Sequence, residues 1–159
     1  MEKGDYQCKY HCAITPNLGD LILIYQHGVL SQHFGIDVPF MTHLGLECIS
    51  LSEDSCHTRL LPYPALLNSR GDIHGGALMS AFDFSLSVAA RSHDPLGCGA
   101  ATIDMSTHFY EPAKATVNLI ARCSRRGKRI AFCEAEAKDA SGQVLAVARA
   151  VFRLVPPAP

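Results

Sequence analysis

Tryptophan is missing from this 159-residue chain, and charge is sparse and balanced: 14 Lys and Arg against 15 Asp and Glu leave a net charge of −1. A surface so close to neutral has no general attraction for nucleic acid, and no such partner is expected. Long apolar runs are missing as well. The longest near the N-terminus, Leu21-Ile22-Leu23-Ile24-Tyr25, is too short to span a bilayer and lacks the basic start and small-residue cleavage site of a secretory signal. The expectation is a cytoplasmic protein with no membrane partner. Cysteine is present, but seven residues at irregular spacing (8, 12, 48, 56, 98, 123 and 133) do not make a disulfide framework. Cys8-Lys9-Tyr10-His11-Cys12 looks like half a zinc site, yet no second Cys/His pair follows at finger spacing, so no metal is expected.

The length suits one domain with a real core. Residues 1–33, with clustered Cys, Tyr and His and a short apolar stretch, read as an N-terminal extension, partly helical or disordered; 34–155 read as the domain and 156–159 as a Pro-rich tail. Strands are expected over Leu44–Leu51 and Thr58–Pro62, then a loop carrying Pro62, Pro64, Asn68 and Gly71 into a helix that ends near Arg91. Four strands follow. Thr102–Tyr110 alternates Ile103, Met105, Thr107 and Phe109 on one face, and Thr116–Ser124 alternates Val117, Leu119, Ala121 and Cys123. Ile130–Lys138 sets Ala131, Cys133, Ala135 and Ala137 against Phe132, Glu134 and Glu136, and Asp139-Ala140-Ser141-Gly142 turns the chain into Val144–Val155. One apolar helix followed by an antiparallel meander is an α+β plan, with the sheet curled around the helix. Alanines at 131, 135, 137, 146, 148 and 150 let the helix lie close to it.

Between Gly75 and Ala90 the only charged side chain is Asp83, set among Ala81, Phe82, Phe84, Leu86, Val88 and Ala89. A helix this free of charge is expected to be buried on nearly every side, where a carboxylate is costly unless partnered or kept for chemistry. Gly75 and Gly76 open that helix, whose first N–H groups are unpaired and carry the positive end of its dipole. Asp83 follows Gly76 by seven residues, which at the helical rise is about 10 Å. A carbonyl held on those N–H groups must have its carbon within about 3–3.5 Å of the attacking atom. If both groups take part, the helix start of one subunit must face the carboxylate of another across a two-fold axis.

The order Asn68…Gly71…His74-Gly75-Gly76…Asp83, then Thr102-Ile103-Asp104-Met105, Tyr110-Glu111-Pro112-Ala113, Gly127-Lys128 and Asp139…Gly142, resembles the hotdog-fold acyl-CoA thioesterases of the phenylacetate-pathway (PaaI-like) type. The resemblance covers roughly 34–155. It implies a curved antiparallel sheet around one long helix, homodimers that pair into dimers of dimers with sites at the subunit interface, an acyl-CoA substrate and no cofactor. It also implies that Asp83 is nucleophile or general base and that the N–H of Gly75 polarises the thioester carbonyl. Asn68 and His74 would orient the reacting groups, and Thr102 would hold the water. Gly76, Met79 and Phe82 are candidates for contact with substrate.

Other readings stand beside these. Asp83 could cap a buried polar network, since Ser80 and Ser87 lie on its side of the helix. The cluster Arg122, Arg125, Arg126, Lys128 and Arg129 could be a solvated turn, or, through Arg125, Arg126 and Lys128, could hold the phosphates of a CoA nucleotide. A hydroxyacyl dehydratase of the same fold, with a His and an acid for proton transfer, is the nearest enzymatic competitor. A non-catalytic acyl-CoA-binding module is the other.

Overall fold

The computed structural model describes residues 32–155. The Cys8–Cys12 cluster, nearly all of the expected extension and the Pro-rich tail lie outside the described residues.

A short helix, α1 (Pro39–Leu44), precedes the first strand and was not expected from the sequence. Gly45, at φ 68°, ends it in a left-handed turn that glycine adopts without penalty, so the strand starts at Leu46 and not at Leu44. Then come β1 (Leu46–Ser52), β2 (Ser55–Leu60), the long helix α2 (Gly75–Ala90), β3 (Gly99–Phe109), β4 (Val117–Arg126), β5 (Ile130–Lys138) and β6 (Val144–Val155). The second strand stops two residues short of Pro62, which has no N–H to give to a ladder. The bounds of β5 and β6 are those expected from their alternation.

All six strands pair antiparallel in the order β1-β2-β4-β5-β6-β3, and α2 packs on one face of that sheet against β2 through β6. This is the hotdog arrangement. The six alanines at 131, 135, 137, 146, 148 and 150 are all buried beneath the helix, with Phe82 and Phe152 filling the largest spaces between. Each of those rings contributes roughly 1.5–3 kcal/mol by leaving water. The five described cysteines are free. Burial pushes the Cys48 thiol up to about 12, so that side chain behaves as a small hydrophobe rather than a nucleophile.

Two features of the fold differ from expectation, and both bear on function. Helix α2 is not buried all round. Leu78, Ala81, Phe82, Phe84, Ser85, Leu86, Val88, Ala89 and Ala90 face the core, whereas Gly76, Met79, Ser80, Asp83 and Ser87, at helical spacing, form a stripe that the described residues leave uncovered. Among the described residues, strand β3 is an edge strand that pairs only with β6, and it is broken by a β-bulge at Ile103, since Thr102 pairs with Phe152 and Asp104 with Val151. The extra residue shifts the side-chain alternation by one. Thr102 thereby joins Met105, Thr107 and Phe109 on the face toward α2, and Ile103 leaves that face and is exposed.

Candidate active site

The loop before α2 is organised by its own polar groups. Asn68 Oδ1 accepts the N–H groups of Arg70 at 2.8 Å and Asp72 at 3.2 Å, and the Asn68 carbonyl accepts that of Gly71 at 3.0 Å. Gly71 sits at φ 82°, a conformation that this tight turn requires and glycine supplies. Beyond the turn, the Ile73 N–H donates to the Ala113 carbonyl and the His74 N–H to the Leu66 carbonyl. The oxygen of the Asn68 side chain is thus committed to the loop, which leaves its amide N–H₂ as the part that could reach a substrate.

His74 is the N-cap of α2. Its Nδ1 accepts the N–H of Gly76 at 2.9 Å, so the neutral ring carries its proton on Nε2. The Ala77 and Leu78 N–H groups donate to the His74 carbonyl. Of the first donors of this helix, only the N–H of Gly75 has no acceptor among the described residues. The expectation that Gly76 offers a donor to substrate is therefore corrected. Its N–H is taken, and its lack of a side chain serves the cap, since a Cβ there would lie 3.1 Å from His74 Nδ1.

Asp83 is half-buried on the open stripe of α2. Its Oδ1 accepts the Thr102 hydroxyl at 2.7 Å, the bond made possible by the bulge in β3. No ion pair among the described residues involves Asp83. The polar-network reading finds no support, because both serines turn back on their own helix: Ser80 Oγ donates to the Gly76 carbonyl and Ser87 Oγ to that of Phe84. Gly75 and Asp83, eight residues apart on one straight helix, are about 12 Å apart along its axis.

Two further expectations are corrected. Phe82 has no exposed surface and faces the sheet, so within this chain it is core and not pocket; Met79, 37% exposed on the stripe, remains available. Arg126 is not free for phosphate. Its guanidinium donates to the Ala90 carbonyl, to the Ala89 carbonyl, which also accepts the Ser92 N–H, and to Ser92 Oγ, and it pairs with Asp54 at 2.5 Å. It ties the β1–β2 turn to the helix C-terminus. Arg125 and Lys128 stay exposed with no ion pair among the described residues. A groove of about 820 Å³ on the outer face of the sheet, lined by Ser106, His108, Arg122, Glu134 and neighbours, includes none of the residues around Asp83 or Gly75.

Phe109 is a residue of this site that no motif singled out. Its ring lies over the helix start: a Cβ placed on Gly75 would be 3.4 Å from Phe109 Cζ. Phe109 shares this face with Met105 and Thr107, opposite the buried Ala146, Ala148 and Ala150 of β6.

Residues 70–146 match the model of the thioesterase superfamily. A Halobacterium salinarum protein named for an expected esterase activity is 27% identical over 136 residues, covering 79% of this chain and 90% of its own. The PaaI protein from the Escherichia coli phenylacetic acid degradation operon superposes with a TM-score of 0.71 at 20% identity, over 88% of this chain and 94% of its own. A Haemophilus influenzae thioesterase superposes with a TM-score of 0.70 at 17% identity, over 76% and 85%. At these identities the solved structures establish the fold, and the superfamily match covers the segment from the loop before α2 into β6.

Proposed function

We propose that this chain, a PaaI-like hotdog protein and a thioester hydrolase by its superfamily match, cleaves an acyl-CoA to the free acid and CoA in a cleft shared by two copies. One observation carries the reading. The single uncommitted N–H at the start of α2 and the Thr102-tethered Asp83 are the two groups that acyl transfer needs, and one helix holds them too far apart to meet. Strand β3 supports the shared cleft, since among the described residues its outer edge is unpaired over 11 residues and Ile103 and Tyr110 beside it are exposed. An edge of that length is normally covered, and a second β3 related by a two-fold axis would cover it. A dimer of such dimers follows only from the resemblance. A cytoplasmic location fits a CoA ester, and no described helix is long and apolar enough to cross a membrane.

In this cleft the thioester oxygen accepts the Gly75 N–H, with the Asn68 amide or His74 Nε2–H beside it. The Thr102 hydroxyl holds Asp83 Oδ1, which leaves Oδ2 to act. As general base, Oδ2 takes a proton from water as the water oxygen bonds to the carbonyl carbon; the C–S bond then breaks and the thiolate regains the proton. As nucleophile, Oδ2 bonds to that carbon as the C–S bond breaks and CoA leaves as thiolate; water then cleaves the resulting anhydride to the free acid and the Asp83 carboxylate, and its proton goes to the thiolate. The dehydratase alternative is disfavoured by the cap: with Nδ1 occupied and the proton on Nε2, His74 has no free lone pair to serve as a base. Release of free thiol from a panel of acyl-CoAs tests the activity. Tight binding without release would instead identify a binding module.

Arg125 and Lys128 are placed to hold the nucleotide phosphates. Replacing both by Ala should raise KM for an acyl-CoA by about tenfold, on the scale of one or two charge-assisted hydrogen bonds. Turnover of the same acyl group on N-acetylcysteamine should be unchanged. Arg126→Ala should behave differently, lowering stability in denaturant unfolding by about 2–3 kcal/mol because the Ala90 carbonyl, Ser92 Oγ and the Asp54 carboxylate all lose the guanidinium. Equal losses on both substrates for the double variant would remove the phosphate role.

A further inference from the structure

We infer that Phe109 is the residue that limits acyl size in this cleft. The inference rests on the thioesterase reading and adds to it a wall that neither the motif nor the superfamily match assigns. Three observations meet at the helix start. The ring of Phe109 touches Gly75 on the side where a Cβ would stand, yet 49% of the residue is exposed, so it is not a core side chain that merely grazes the glycine. Met79 lies one turn further along α2 on the same side and is 37% exposed; Leu67, next to the residue whose carbonyl anchors His74, is 36% exposed. Three elements thus present uncovered apolar surface around one polar donor.

An oxygen bound to the Gly75 N–H sits about 2.9 Å from that nitrogen. The ring begins just past the adjacent Cα, so one of the two groups on the carbonyl carbon must run along it. The pantetheine arm is a poor fit, because its two amides need hydrogen-bond partners and Phe109, Met79 and Leu67 supply none. The acyl chain fits, since it gains by covering them. Phe109, standing on a strand and backed by the helix, cannot swing away as a loop residue could, so it sets where the chain must bend or end.

The test is a series of straight-chain acyl-CoAs from acetyl to decanoyl, assayed by thiol release with wild type, Phe109→Leu and Phe109→Ala. Because a methylene in a hydrophobic pocket changes selectivity by roughly 10–200-fold, Phe109→Ala should raise the decanoyl-to-acetyl ratio of kcat/KM by at least about tenfold. Phe109→Leu should fall between, and acetyl-CoA turnover should stay within a few-fold of wild type. A side chain that only supports the fold would lower every substrate by the same factor, and uniform or absent changes in the ratio would overturn the inference while leaving the thioesterase reading in place. A wild-type protein that releases thiol from none of these esters would overturn both.

Discussion

Asp83→Asn should lower kcat for thioester hydrolysis by roughly 10³-fold, within the 10²–10⁴ range of a positioned proton-transfer group, while the protein keeps its thermal midpoint and its assembly state. The amide is isosteric, and its oxygen can still accept the Thr102 hydroxyl that Oδ1 accepts at 2.7 Å. What it loses is the basic, nucleophilic oxygen on the other side. Because Asp83 sits half-buried and without a cation partner among the described residues, little of the fold depends on its charge. Steady-state thiol release with circular dichroism and sedimentation on the same sample checks the result. Activity within tenfold of wild type would remove Asp83 from the chemistry. A single turnover in ¹⁸O-water then separates the two roles, since label enters the Asp83 carboxyl only when an anhydride forms there.

Gly75→Pro should cost roughly 10²–10³-fold in kcat, the loss typical of one oxyanion donor. Proline suits this position structurally. Gly75 is the first residue of α2, where proline is well tolerated, and His74 at ψ 136° has the extended conformation that a residue before proline prefers. The substitution therefore removes one N–H without breaking the helix. Gly75→Ala is the control, because it keeps the N–H and adds only a methyl in contact with the Phe109 ring. Its kcat should stay within about tenfold, on the scale of one misplaced methyl group. Similar large losses for Pro and Ala would point to crowding against Phe109 rather than to the missing donor.

Much of this fold was legible because its signals are local. The strand periodicity of Ile130–Lys138 and Val144–Val155 gave the bounds found. The Ala-rich inner face gave the close packing of α2, and His74-Gly75-Gly76 gave the helix start. What escaped depended on partners distant in sequence. The Ile103 bulge is set by the pairing of β3 with β6, and it decides that Thr102 faces the helix while Ile103 does not. Arg126 read as one of five clustered cations, and only the end of α2, some 36 residues earlier, explains why its guanidinium is committed. The low charge of α2 suggested complete burial, yet the stripe through Asp83 is left uncovered by the described residues, so low charge alone did not reveal which face of the helix stays open.

Mixed dimers decide whether the helix start of one subunit works with the acid of another. Gly75→Pro and Asp83→Asn chains carrying different tags are co-expressed, and the heterodimer is isolated through both. One of its clefts combines the two lesions and the other has neither, so the heterodimer should show about half the wild-type specific activity although each parent is nearly inactive. A purified, folded heterodimer as inactive as its parents would contradict the shared cleft, because then every site would need both groups from one chain.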